Sequence, residues 1–288
     1  MSIPPIKPLQ NPPLLPPKVE YSKLKLVTLF LSFIPVFLTW TALSLSAWPL
    51  LKIASCLRAK WHWANSLMNE CFNLWIAIAR YFLTVKPVGG KGQPILLVHG
   101  YLHNSSGWYV AAEELEKGGL GPVYTIDLGD GTIGGKFWSI RNYAEQVAVK
   151  VKEIQEATGC QEIALVGHSM GGIVSALYAV DAPPGLVSDV IAIGSPFHGT
   201  CFSHYFGVGP DGEEMRTDSE LLEELRNKIE DTPGIRFHSI ASSTDEIVPL
   251  DSALIGEDPM IVEDKGHFSL MISRKVAQQV VRWLQIPL

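Results

Sequence analysis

The sequence predicts an α/β fold in which a mostly parallel β-sheet is flanked by helices. From residue 93 to residue 288, short continuous apolar runs alternate with longer segments whose apolar residues recur at helical spacing. Strands that are buried on both faces are apolar throughout, and their alternation with helices is typical of βαβ units. A layer of helices on each face of the sheet is therefore expected.

The elements follow from this pattern in chain order. The clearest helix is the segment in which Tyr143, Val147 and Ile154 share one face, and the clearest strand leads directly into a glycine-rich turn. The predicted strands are Ile95–His99, Val123–Asp127, Ile163–Gly167, Val190–Gly194, Ile235–Ala241 and Met260–Val262. The predicted helices are Ile140–Thr158, Gly171–Val180, Asp218–Ile229 and Ser269–Leu284.

The residues before this domain have a different composition. Residues 1–25 are rich in proline, which fixes φ and removes backbone donors, so a disordered tail is expected. Residues 26–51 carry no charged side chain, and these 26 residues exceed the roughly 20 that a helix needs to cross a bilayer. We expect a single-pass membrane anchor there, with a cleaved signal peptide and a secreted protein as the alternative. Lysines on both sides of the span leave its orientation open.

Residues 52–92 form the expected link between this span and the α/β domain. Within it, Trp61–Leu83 has apolar residues at helical spacing. Glu70 and Arg80 argue against a second membrane span. Two placements stay open: the segment lies on the membrane surface, or it packs against the domain that follows.

Composition excludes several classes of function. The net charge of −6 and the lack of a basic run argue against a nucleic-acid partner. The four cysteines are scattered, without the spacing of a zinc site or of a disulfide framework. No residue pattern indicates a cofactor or a bound metal, and none indicates an oligomeric state.

The strongest chemical signal is Gly167-His168-Ser169-Met170-Gly171, between a predicted buried strand and a predicted helix. As a bare pattern, a glycine-x-serine-x-glycine string is weak. With the strand before it and the helix after it, it predicts a nucleophile elbow in which a tight turn exposes the hydroxyl of Ser169.

A serine nucleophile needs a base, and the base needs a carboxylate to orient it. His267 lies in a loop before the last predicted helix and is the expected base, whereas His238 lies inside a predicted strand. Asp245 follows the strand Ile235–Ala241 and is the expected acid, with Glu246 as its nearest competitor.

Acyl transfer also needs backbone donors for the oxyanion. The N–H of Met170, directly after the nucleophile, is the first expected donor. The N–H of Tyr101 is the second, because Gly100 permits a tight turn after the first strand.

These motifs resemble those of the α/β-hydrolase superfamily, and more closely the bacterial triacylglycerol lipase and esterase group. The motifs that carry the resemblance are Leu97-Val98-His99-Gly100-Tyr101, Gly167-His168-Ser169-Met170-Gly171-Gly172, Gly194-Ser195-Pro196-Phe197-His198-Gly199-Thr200, Asp245-Glu246-Ile247-Val248-Pro249 and Gly266-His267. The resemblance covers about residues 93–288. It implies that His198 is a loop residue outside the catalytic set.

The insertion between Ser195-Pro196 and Gly234 is expected to form a cap or lid over the site, at about residues 197–234. The glycine-rich loop Asp127–Phe137 lacks the lysine of a phosphate-binding loop and is expected at the rim of the site.

Together these features predict a membrane-anchored serine hydrolase that cleaves carboxylic esters of lipids or other acyl compounds. The same residues would also suit a thioesterase, an amidase or an acyltransferase, because the choice of bond depends on the pocket. A catalytically silent membrane scaffold is the alternative from another class.

Overall fold

The computed structural model describes Glu70, Val85 and residues 87–90, 92–129, 137–207, 209–256 and 258–286. Within these ranges no helix combines the length and the apolar character needed to cross a bilayer. The predicted tail at 1–25, the predicted membrane span at 26–51 and most of the 52–92 link lie outside the described residues, and so do residues 130–136 of the glycine-rich loop.

The described residues form a parallel sheet of six strands in the order β2-β1-β3-β4-β5-β6. The strands are β1 (Ile95–Val98), β2 (Val123–Ile126), β3 (Ile163–His168), β4 (Val187–Ile193), β5 (Arg236–Ser242) and β6 (Met260–Val262). The helices are α1 (Tyr109–Lys117), α2 (Ile140–Thr158), α3 (Met170–Asp181), α4 (Cys201–Phe206), α5 (Gly209–Glu214), α6 (Glu220–Asp231), α7 (His267–Met271) and α8 (Arg274–Leu284). Two short 3-10 turns lie at Ser105–Trp108 and Leu250–Ala253.

The sheet has a hydrophobic core on each face, as predicted. Because side chains alternate along a strand, Leu96 and Val98 of β1 pack with α2 and α3, whereas Ile95 and Leu97 pack with α1 and α8. Helices therefore cover both faces of the central strands, which explains why β3 up to Gly167 and the second half of β4, Val190–Ile193, are apolar without polar alternation.

The sequence predictions differ from the structure in several elements. The predicted closing helix Ser269–Leu284 is two helices, because the Ser273 hydroxyl accepts the N–H of Val276 and so starts α8 separately from α7. The helix α1 is not among the helices predicted from the sequence. Strand ends shift by up to three residues, as between the predicted Val190–Gly194 and the observed β4.

The parallel order brings the carboxyl ends of the strands to one edge of the sheet. The segments that follow β1, β3, β5 and β6 carry Gly100, Ser169, Asp245 and His267, respectively. In open parallel sheets this edge is where ligands bind.

Candidate active site

Ser169 lies in the sharp turn between β3 and α3. Its φ of 55° and ψ of −127° are rare for a residue with a side chain. The turn needs glycine on both sides: a Cβ at Gly167 would overlap the backbone of Gly171, and a Cβ at Gly171 would overlap the carbonyl of Val98. The turn therefore holds Ser169 at the N-terminus of α3, where the helix dipole favours negative charge.

Asp245 and His267 form a buried hydrogen-bonded pair. Nδ1 of His267 lies 2.8 Å from Oδ2 of Asp245, and both side chains are almost fully buried. The other carboxylate oxygen, Oδ1, accepts the N–H of Ile247 at 2.9 Å and that of Val248 at 2.8 Å. Because an ionised carboxylate only accepts, Nδ1 carries the proton and Nε2 is the nitrogen that remains to accept one.

Electrostatics favour a proton on this imidazole. Burial alone would lower the pKa of His267, but the neighbouring carboxylates together outweigh it, Asp245 first through its charge and its hydrogen bond, so the pKa is raised. The charges of Glu246 and Glu70 act in the same direction. An imidazolium that forms here during a reaction is therefore stabilised.

The loops that carry the acid and the histidine are tied to each other. The hydroxyls of Ser242 and Thr244 donate to the carbonyl oxygen of Lys265 at 2.5 Å and 3.0 Å. The N–H of Ser243 donates to the carbonyl oxygen of Val262 at 2.9 Å. These bonds join the end of β5 to β6 and to the segment between β6 and α7. They hold the loop with Asp245 and the loop with His267 in a fixed position relative to each other.

The loop after β1 lies directly against the nucleophile turn. A Cβ at Gly100 would lie 2.8 Å from the Cβ of Ser169, so only glycine allows this approach. Leu102 has a φ of 54°, which marks a tight backbone turn after Tyr101. The ring of Tyr101 stacks on Phe137 with centroids 5.6 Å apart. The predicted donor Tyr101 thus lies in a loop next to Ser169, and Met170 is the first residue of α3, where N–H groups have no partner within the helix.

His99 holds this loop in place. Its Nε2 accepts the N–H of Leu128 at 2.8 Å, so Nδ1 carries the proton and donates to the carbonyl oxygen of Gly100 at 2.8 Å. Burial lowers the pKa of His99 to about 4, which keeps it neutral at pH 7. The histidine is a structural link between the ends of β1 and β2.

His168 is a site residue whose role the sequence did not predict. Its Nε2 donates to the backbone carbonyl of His267 at 3.0 Å, and the two rings lie 4.8 Å apart. Burial, followed by the neighbouring His267, holds the pKa of His168 well below its usual value. His168, directly before the proposed nucleophile, therefore contacts His267, the proposed base. The sequence motif alone does not reveal this contact.

The structure brings the predicted site residues to one edge of the sheet, but hydrogen bonds do not connect all of them. Within the described residues, the hydroxyl of Ser169 forms no hydrogen bond with His267. Such bonds are often long before substrate binds. The competitor Glu246 accepts the backbone N–H of His267 at 3.3 Å, whereas the partner of Nδ1 is Asp245. His238 lies in β5, stacked on Trp283, as a sheet-face residue.

The insertion after β4 contains three helices, α4 to α6, where the sequence predicted a cap with one. The hydroxyl of Thr200 donates to the carbonyl of Ile247, beside the acid, and Nη1 of Arg226 donates to the carbonyl of Phe197 at 2.7 Å. The hydroxyl of Tyr143 donates to Asp211 at 3.3 Å, which ties α5 to α2. The bonds of Thr200 and Tyr143 attach the insertion to the rest of the domain, whereas that of Arg226 holds α6 to the start of the insertion itself.

Comparison with known proteins agrees with this architecture. Residues 93–215 match the family model described as alpha/beta hydrolase fold. The triacylglycerol lipase of Pseudarthrobacter phenanthrenivorans is 32% identical over 123 residues, which cover 39% of this chain and 35% of the relative. The triacylglycerol lipase of Burkholderia plantarii is also 32% identical over 123 residues, which cover 39% of this chain and 32% of the relative. The chain thus spans about a third of the length of these relatives.

Among solved structures, the mature form of a lipase from Bacillus licheniformis matches with a TM-score of 0.55 and 19% identity. The match covers 70% of this chain and 94% of that chain. The parallel sheet, the strained serine turn and these matches define an α/β-hydrolase fold. The chain is an α/β-hydrolase-fold protein that is similar in sequence to lipases and esterases.

Proposed function

We propose that this protein is a carboxylic ester hydrolase that acts through Ser169, His267 and Asp245. The buried pair of Asp245 and His267 beside the strained serine turn carries the proposal. A hydroxyl is a weak nucleophile at neutral pH, and an imidazole whose other nitrogen is held by a carboxylate is the base that activates it. The similarity to triacylglycerol lipases supports the same chemistry.

In this mechanism, the hydroxyl oxygen of Ser169 attacks the ester carbonyl while Nε2 of His267 takes the proton. The negative charge moves to the carbonyl oxygen, where the N–H groups of Tyr101 and Met170 stabilise it. Collapse of the tetrahedral intermediate breaks the ester bond, and His267 returns the proton to the leaving alcohol. Water, activated by the same imidazole, then releases the carboxylic acid and restores Ser169.

The proposed substrates are esters of lipids or other acyl compounds, and the proposed location is a membrane. The uncharged run at residues 26–51 supports an anchor, and the insertion at residues 197–234 is proposed to cover part of the site. Leu102, directly after Tyr101, and Phe202, in helix α4 of the insertion, are exposed and supply apolar surface of the kind that acyl chains contact.

Hydrolysis of p-nitrophenyl esters of graded chain length by the wild type and Ser169→Ala tests the proposal. The wild type should hydrolyse them, with a preference that shows the acyl length the site accepts, whereas the variant should lose a factor of about 10⁴ to 10⁶ in kcat. A variant that keeps its activity would exclude Ser169 as the nucleophile. Adding a thioester, an amide and an acceptor alcohol to the same assay separates the esterase from the alternative acyl-transfer activities.

A further inference from the structure

Glu70 is a buried carboxylate that the proposed mechanism does not use. It comes from the segment before the α/β domain, yet only 4% of its surface is exposed. Its Oε1 accepts the N–H of Phe268, and its Oε2 accepts the N–H of Ser269 at 3.0 Å and the hydroxyl of Ser269. At this residue, therefore, the segment packs against the domain, which was one of the two placements that the sequence left open.

The N–H groups that Glu70 accepts belong to the helix that begins with His267. A helix begins with N–H groups that have no partner inside the helix, and no local side chain caps α7. Glu70 takes the N–H groups of the second and third residues, and Glu246 takes that of His267 itself at 3.3 Å. Carboxylates from two distant parts of the chain thus replace a local cap at the start of the helix that carries the base.

Gly266 makes this arrangement possible. A Cβ at this position would lie 2.5 Å from Oε2 of Glu70 and 2.8 Å from Oε2 of Glu246, so any side chain would displace both carboxylates. The glycine before the histidine therefore leaves room for the two glutamate side chains, whereas its own φ of −77° is open to any residue.

We propose that Glu70 is a positioning residue for the base of the proposed reaction: its carboxylate fixes the first turn of α7 and thereby holds the imidazole of His267 against Asp245. This inference rests on the proposed role of His267. It assigns to the segment before the α/β domain a direct part in the geometry of the active site.

The position of the imidazole is sensitive to this contact because His267 reaches Asp245 from the first residue of a five-residue helix. A helix this short has little stability of its own, so its start depends on tertiary contacts. Loss of the carboxylate would remove the acceptor that Glu70 provides to the N–H groups of Phe268 and Ser269, and the turn would shift in response. A displacement on the order of 1 Å at a reacting group can lower turnover about a hundredfold.

Charge provides a second, independent signature. The groups that face His267 are the acids Asp245, Glu246 and Glu70 and the buried histidine His168. Glu70 contributes to the raised pKa of His267, so removal of its charge should lower that pKa. Desolvation and then the charge of Glu70 raise the pKa of Glu246 to about 7, so Glu246 should ionise more easily once Glu70 is neutral. Because Glu246 is already partly ionised near pH 7, its added charge offsets only part of the fall in the pKa of His267.

The test compares full-length wild type with Glu70→Gln and Glu70→Ala. Glu214→Gln is the matched control, because Oε2 of Glu214 accepts the N–H of Ile140 at 2.5 Å at the start of α2, a helix without a proposed catalytic residue. Three quantities are measured: the pKa of His267 from the NMR titration of its ring protons, kcat and KM on a p-nitrophenyl ester over pH, and the melting temperature.

We expect Glu70→Ala to lower kcat about 10- to 100-fold with KM nearly unchanged. Glu70→Gln keeps one acceptor oxygen, so its kcat should fall less. In this variant, the pKa of His267 and the acid limb of the pH–rate profile should both move to lower pH. Glu214→Gln should lower the melting temperature without moving the pKa of His267.

An unchanged pKa of His267 in both Glu70 variants would overturn the inference, and so would a loss of kcat that only follows the melting temperature, as in the control. The NMR titration needs no substrate. If the wild type hydrolyses no ester, the proposed function fails, while the titration still decides whether Glu70 acts on His267.

Discussion

Asp245→Asn should inactivate the protein through the tautomer of His267 rather than through loss of fold. In the wild type, Oδ1 of Asp245 accepts two backbone N–H groups, from Ile247 and Val248, and Oδ2 accepts from Nδ1 of His267 at 2.8 Å. An asparagine has only one acceptor oxygen. The two backbone donors fix that oxygen on their side, so the amide N–H₂ must face the imidazole.

The amide then donates to Nδ1 of His267, and the proton of the neutral imidazole moves to Nε2. An Nε2 that already carries a proton cannot take one from Ser169, so kcat should fall by about 10⁴. The pKa of His267 should also fall, because the charge of Asp245 and its hydrogen bond are what raise it against burial. Since aspartate and asparagine have nearly the same shape, the melting temperature should change little, in contrast to this loss of kcat.

The assay is p-nitrophenyl ester hydrolysis with the tautomer of His267 determined from its ¹⁵N shifts. Glu246→Gln is the control, because it removes a neighbouring charge but leaves the partner of Nδ1 in place. We expect this control to lose no more than about tenfold in kcat. If Asp245→Asn keeps activity within tenfold of the wild type while Glu246→Gln loses a thousandfold, Glu246 is the orienting acid and our assignment is wrong.

Three further predictions concern stability and are checked by urea denaturation. Gly171→Ala should destabilise the fold by about 1 to 3 kcal/mol, because its Cβ would overlap the carbonyl of Val98; an unchanged midpoint would contradict the packing of the serine turn. Arg236→Met should cost about 3 to 5 kcal/mol, because it leaves the fully buried Asp189 without its 2.8 Å partner, while ester hydrolysis per folded molecule stays the same. Burial lowers the pKa of His99 to about 4, so the folded state binds its proton less tightly than the unfolded state. This histidine should therefore remove about 3 kcal/mol of stability as pH falls from 6.5 to 4, and His99→Gln should flatten the loss over that window.

The sheet and the serine turn could be predicted from the sequence because their signals are local. The apolar run before Ser169 and the glycines on both sides of it follow from the backbone geometry of one strand and one turn. The helix Ile140–Thr158 was predicted with its observed ends from the apolar residues on one face, and in the structure Ser139 caps its start and Gly159 adopts the left-handed conformation at its end. Asp245 and His267 could be placed because chain order and strand ends restrict the choice.

The contacts of Glu70 and His168 could not be predicted, since each depends on a partner about a hundred residues or more away in the chain. Glu70 was interpreted only as a charge that argues against a membrane span. The break of the closing helix at Ser273 was missed because the apolar spacing continues across it, while a serine cap ends one helix and starts the next. The membrane span at 26–51 stays a prediction.

The most direct test of the proposed chemistry is to react the full-length protein with a fluorophosphonate and to locate the adduct by mass spectrometry. We predict one adduct, on Ser169, with labelling abolished in Ser169→Ala and strongly slowed in His267→Ala, because the hydroxyl needs its base. An adduct on another residue, or undiminished labelling of Ser169→Ala, would contradict the account.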